Sequence, residues 1–139
     1  MWDRISIRAV VIAFAAGLAS SFVLANVLLG FIAGDALDSS MSDEATRAAI
    51  KSVAASPAFL LSWLVVGTGV TVGSGWLAAR LAKEFPLYNG LAVGVVSFVF
   101  DCFSLGGSPW WFEVVGMLLT LPASIYGANL ARRARLPKS

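Results

Sequence analysis

The chain has 139 residues, 58% of them hydrophobic and only 13% charged, with a net charge of +2 and a mean hydropathy of +0.82. A water-soluble domain runs near a quarter charged, and one of this size has too little interior to hide so much apolar surface, so lipid must cover the remainder. The lack of histidine removes the commonest metal ligand and the usual proton shuttle near neutral pH, and a single cysteine, Cys102, excludes an intrachain disulfide.

Stretches free of Asp, Glu, Lys and Arg mark the spans. Residues 9–34 form the first stretch and predict a helix near 5–32, ended by Gly34, Asp35 and Asp38 with Ser39 and Ser40. Its apolar run exceeds the roughly 7–15 residues of a secretory-signal core, so it reads as a retained span. Residues 35–56 form the one sizeable soluble segment. Within it Ser42, Asp43 and Glu44 look like a helix start, with acids at the positive end of the dipole. Ala45, Ala48, Ala49 and Val53 add a weak apolar stripe, which predicts a short external helix near 42–54, lying on the outer membrane surface. Pro57 opens a second span near 57–82, in the position where a missing N–H costs least. Pro86 separates it from a third span near 87–105, interrupted only by Asp101. Gly106, Gly107, Ser108 and Pro109 make a tight turn into a fourth span near 108–132. A spanning helix needs about 20 apolar residues to cross about 30 Å of hydrocarbon. The runs show no strict polar–apolar alternation, which argues against a barrel. The expected fold is therefore an all-α integral membrane bundle of four transmembrane helices, forming a single domain over 1–139, with a short external helix between helices 1 and 2.

Charge sets the expected orientation. Eight of the ten basic residues lie on one side: Arg4, Arg8, Arg80, Lys83, Arg132, Arg133, Arg135 and Lys138. Only Arg47 and Lys51 lie on the other, which places both termini in the cytoplasm by the positive-inside rule. Trp2, Trp76, Tyr88 and Tyr126 fall at the inner interface and Trp63, Trp110 and Trp111 at the outer one, the level that amphipathic rings prefer. The pattern is that of a small multi-pass protein of a bacterial inner membrane.

The ends of the second and fourth spans resemble each other. Residues 74–83 lie on residues 126–135 with Gly75 over Gly127, Ala79 over Ala131 and Arg80 over Arg132. Gly17 and Gly94 recur early in the first and third spans. Together they suggest a duplicated helical hairpin in parallel orientation, related by an axis along the membrane normal. Small residues also recur at every fourth position. Lipid offers no hydrophobic drive between helices, so close backbone approach must supply the contact. On that ground Gly17, Gly69, Gly73, Gly90, Gly94 and Gly127 are the expected helix-packing positions. The second span, rich in glycine, is expected at the centre of the bundle.

Asp101 is the residue that most invites a functional reading, because carboxylates inside membrane helices are costly and often functional. Counting about 1.5 Å per residue from Pro86 puts it near the outer interface. Glu113, in the first turn of the fourth span, and Asn26, at similar depth on the first, complete a candidate polar or ion site with Asp101. Glu113 is also placed to pair with Arg47 or Lys51. Cys102 reads as a small apolar filler, and Thr68, Thr71, Ser20 and Ser21 as hydroxyls bonded to their own helix. The basic tail 131–135 suits anionic lipid headgroups rather than nucleic acid.

No phosphate-cradling loop, nucleophile elbow or metal-binding helix motif occurs, so a non-catalytic protein without metal or cofactor is expected. The leading expectation is a subunit or scaffold that associates through its small-residue faces, with itself as a homo-oligomer or with a larger membrane-protein partner. The alternative is a small transporter or channel with its polar site near the outer face around Asp101. A lipid-processing enzyme ranks last.

Overall fold

The computed structural model describes residues 5–34, 41–82 and 84–134. Trp2, Arg4, Lys83, Arg135 and Lys138, with Asp35, Asp38, Ser39 and Ser40, lie outside the described residues. Among the described residues are five helices: α1 (Ile7–Ala33), α2 (Asp43–Ala54), α3 (Pro57–Leu81), α4 (Pro86–Phe103) and α5 (Trp110–Arg133). Four of them, α1, α3, α4 and α5, are long and apolar enough to cross a membrane. The short α2 connects α1 to α3 and has no fully buried residue.

Serines set three of the helix starts. Ser6 Oγ accepts from Ala9 N at 3.4 Å, Ser42 Oγ from Ala45 N at 3.3 Å and Ser56 Oγ from Phe59 N at 3.2 Å, each satisfying a donor the first turn leaves orphaned. Proline begins α3 and α4, where its missing N–H removes nothing the helix uses. Between α3 and α4 the chain turns through Phe85 in the left-handed region (φ 49°). Between α4 and α5 it turns at Gly106 (φ 100°), a backbone conformation that favours glycine.

Helix α3 packs against α1, α4 and α5 and touches α2, so it holds the central place the sequence assigns it. Large side chains point outward: Phe31 is 88% exposed and Val65 76%, the arrangement of a bundle whose outer shell is lipid. The buried residues concentrate at one end, which brings together the start of α1, the end of α3, the start of α4 and the end of α5. Ala9, Val10, Ala13, Ala78, Ala79, Val93, Ala128 and Ala131 form this packed layer. Near the opposite end, which carries α2, only Ala33 and Leu60 are buried among the described apolar residues. The bundle is thus tight at its terminal end and splayed at its α2 end.

The backbone explains the tight end. A Cβ on Gly75 would overlap the Ser124 carbonyl, and one on Gly127 would overlap the Val72 carbonyl, so α3 and α5 meet backbone to backbone. Gly90 lies against Ala128, Gly94 against Ser124, and Gly17 against Ser74. Four of the expected packing glycines therefore sit in helix contacts. Gly69 and Gly73 do not: both are exposed, and a Cβ added at either would meet nothing within 4 Å. The reason is rotational. Gly75 is turned about 200° from Gly73 on the helix, and the face α3 buries runs through Ser74, Gly75, Ala78 and Ala79.

Candidate functional site

The splayed half of the bundle encloses a cavity of about 370 Å³. It runs from Leu105, Ser108 and Glu113 at the α2 end to Phe14, Gly17 and Ser74, below the midpoints of α1 and α3. The packed glycine and alanine layer closes it beneath, where the Ser124 hydroxyl donates to the Gly90 carbonyl. The cavity is therefore floored at the terminal end of the bundle, and its lining reaches the α4–α5 turn at the other.

Its polar wall comes from helix-spaced stripes. On α4 and the turn beyond, Ser97, Asp101, Ser104 and Ser108 follow one another at three- and four-residue steps and share one face. On α3 the stripe is Gly67, Thr71 and Ser74, with Thr68 alongside, and on α5 it is Glu113, Gly116 and Thr120. Most of the remaining lining is apolar, with Phe14, Leu18, Trp63, Leu64, Phe100, Phe112 and Met117 on the walls. Phe14 and Phe100 meet edge to face with centroids 5.8 Å apart, which joins α1 to α4 beside the polar wall.

Asp101 is half-buried, and its Oδ2 lies 3.1 Å from the Thr120 hydroxyl, which is also 3.0 Å from the Gly116 carbonyl. The single hydroxyl proton is shared between these two acceptors. Thr120 lies about 15 Å along α5 from Trp110, so this bond ties the last turn of α4 to the middle of α5.

Glu113 lines the mouth, but its Oε1 accepts the backbone N–H groups of Gly106 at 2.9 Å and Ser108 at 3.1 Å. That role pins the turn between α4 and α5, and the expected pairing of Glu113 with Arg47 or Lys51 gives way to it. Asn26 is exposed and donates to the Phe22 carbonyl of its own helix at 2.7 Å. It does not line the cavity, so the structure brings together Asp101 and Glu113 of the expected cluster and leaves Asn26 out. Thr68 and Thr71 donate to the carbonyls of their own helix, as expected of lone hydroxyls in a span. Cys102 is exposed, on the side of α4 away from the cavity lining. Among the described residues no three Cys, Asp or Glu side chains gather as a metal site would require.

Sequence reasoning missed Thr120, Ser97 and Ser74 on the cavity wall and Asn89 beneath it. The signal for the first three was present, because polar residues at steps of three and four on successive helices must face a common line. Asn89 is fully buried. Its Oδ1 accepts Ser6 N at 2.7 Å and its Nδ2 reaches the Glu84 and Phe85 carbonyls at 3.3 and 3.0 Å. One side chain thereby ties the start of α1 to the start of α4.

Together, fold and cavity define a multi-pass helical membrane protein with a cavity of mixed polar and apolar lining in the half of the bundle that carries α2. Compared with protein-family models, with curated proteins and with solved structures, the chain matches none of them.

Proposed function

We propose that this protein is a small transporter-type membrane protein that admits a solute into its cavity from outside the cell, with Asp101 and Thr120 as the polar anchor. The observation that carries this reading is the cavity itself, which passes the midpoint of α3 and stops at a sealed floor. A chain that served only to pack against a partner has no use for such a void, since an open interior gives up dispersion contacts along its walls. The suggested hairpin duplication adds support, because transporters often place their sites between repeated halves. Orientation follows from charge: Arg8, Arg80, Arg132 and Arg133 sit at the terminal end, so that end faces the cytoplasm of a bacterial inner membrane and the cavity mouth faces out.

The test is access. In a Cys102→Ala background, Ser97→Cys is expected to react with a membrane-impermeant maleimide added to intact cells, while a cysteine appended to the C-terminus reacts only after lysis. Protection of Ser97→Cys, or labelling of the tail from outside, contradicts the reading.

The scaffold reading draws on a separate observation, the outward-facing Gly69 and Gly73 on α3. It requires association through that face, as a homo-oligomer or with a larger membrane protein. Native mass spectrometry from mild detergent decides it: an oligomer lost on Gly69→Leu and Gly73→Leu favours the scaffold, and a monomer of unchanged mass removes it.

A further inference from the structure

We propose that the ligand of this cavity is a small organic cation, an N–H-bearing ammonium on an apolar body. The proposal rests on the reading of the cavity as a solute site and adds the chemistry of the solute.

The first ground is the direction of the hydrogen bonds. Thr68 donates its proton to the Leu64 carbonyl at 2.6 Å, Thr71 to Gly67 at 3.0 Å and Ser74 to Val70 at 3.0 Å. The Ser104 proton goes to Phe100 at 3.1 Å, and that of Thr120 to Asp101 and Gly116. A hydroxyl whose proton is committed to its own helix presents only lone pairs to the space beside it. The wall that looks donor-rich in sequence is therefore mainly an acceptor wall. Ser21, Ser97 and Ser108 can turn either way, and the Trp63 indole N–H is a donor, so five committed hydroxyls against three free ones still favour a guest that brings its own protons.

The second ground is charge. Among the described residues two carboxylates, Asp101 and Glu113, line the cavity, and no Lys or Arg does. Asp101 keeps Oδ1 free of any bond to Thr120, and a cation beside it is attracted more strongly between apolar helix walls than in bulk water. An anion would meet the same field as repulsion.

The third ground is size and lining. A volume of about 370 Å³ exceeds what one hydrated ion fills and falls within the roughly 300–1,000 Å³ of small-molecule sites. Calcium takes about six to eight oxygen ligands, usually with several carboxylates, and no three carboxylates gather among the described residues. Phe14, Phe100 and Phe112 offer ring surface for the apolar body and for cation–π contact with the head.

The test uses the full chain in lipid nanodiscs and three probes of one shape: 2-phenylethylammonium, 2-phenylethanol and phenylacetate. Calorimetric titration is expected to show the ammonium binding at least tenfold more tightly than the alcohol, with no binding of the carboxylate. Asp101→Asn should weaken the ammonium at least tenfold and leave the alcohol within twofold, while Asp101→Glu restores most of the difference. Thermal unfolding of each variant shows that the loss is not a loss of fold. Equal or tighter binding of phenylacetate overturns the proposal, as does an Asp101→Asn protein that is folded and binds the ammonium unchanged. If no probe binds while Ser97→Cys is reactive from solution, the ligand class is wrong and the open cavity stands. If Ser97→Cys is unreactive, the cavity reading and the ligand class fall together.

Discussion

Gly75 and Gly127 occupy reciprocal places across the contact between α3 and α5: Gly75 lies against the Ser124 carbonyl and Gly127 against the Val72 carbonyl. The same separation in sequence relates Gly75 to Gly127 and Val72 to Ser124, so the contact has a local two-fold character. Thr68 and Thr120 stand in that relation too, each bonded to the carbonyl four residues before it and each lining the cavity. These pairings match the parallel hairpin repeat suggested by the similar ends of the two helices. The symmetry is partial, since α4 packs on α3 whereas α1 makes no extensive contact with α5.

Because backbone meets backbone there, even one methyl is too large. Gly75→Ala and Gly127→Ala are each expected to destabilise the bundle by about 1–3 kcal/mol, the range for overpacking. Gly69→Ala and Gly73→Ala, which meet nothing within 4 Å, should change stability by about 1 kcal/mol or less, the scale of helix propensity. Equilibrium unfolding in detergent measures all four, and equal costs at the two pairs would contradict the packing described above.

At zero exposure the Asn89 side chain accepts from Ser6 N and donates to the Glu84 and Phe85 carbonyls in the turn before α4. Asn89→Leu leaves those backbone groups without that partner and is expected to cost about 1–3 kcal/mol. Hydrogen exchange should localise the effect: the Ser6 amide, which donates to Asn89 directly, is expected to exchange faster in the variant, with the middle of α5 unchanged. A uniform increase along the chain would instead mean global loosening.

Glu113 holds the α4–α5 turn through a single carboxylate oxygen shared by two amides. Glu113→Gln keeps an acceptor there and Glu113→Ala removes it. The alanine variant is expected to lose about 1–3 kcal/mol of local stability, read as faster amide exchange at Gly106 and Ser108, with the glutamine variant between it and the native chain. Matching exchange in all three proteins would remove the pinning role.

Much of the fold was legible because the physics that sets it is local. Charge-free runs of sufficient length announce spans, Ser42 with Asp43 and Glu44 announces α2, and prolines mark helix starts. The helix limits Ile7–Ala33, Pro57–Leu81, Pro86–Phe103 and Trp110–Arg133 fall within two residues of the expected bounds at both ends. What failed was rotational phase. A glycine stripe says that one face of a helix is narrow, without saying which neighbour uses it, so Gly69 and Gly73 were expected in the packing while Gly75 is the one that lies against α5. Azimuth was hidden in the same way at Asn26. Asn26 and Asp101 lie at similar heights by counting, but height does not fix azimuth, and Asn26 points away from the cavity. The contact of Asp101 with Thr120 joins α4 to α5, a tertiary relation that no count along one helix contains.

The one-sided opening of the bundle can be measured along a single helix. Spin labels placed one at a time on α3 in liposomes report collision with a water-soluble nickel chelate and with oxygen, which concentrates in lipid. Labels at Thr71 and Ser74 should respond to the nickel chelate, labels at Gly69 and Gly73 to oxygen, and a label at Ala78 to neither. Nickel access that dies away at Thr71 and Ser74 as it does at Gly69 and Gly73 would contradict an aqueous cavity reaching below the midpoint of the helix.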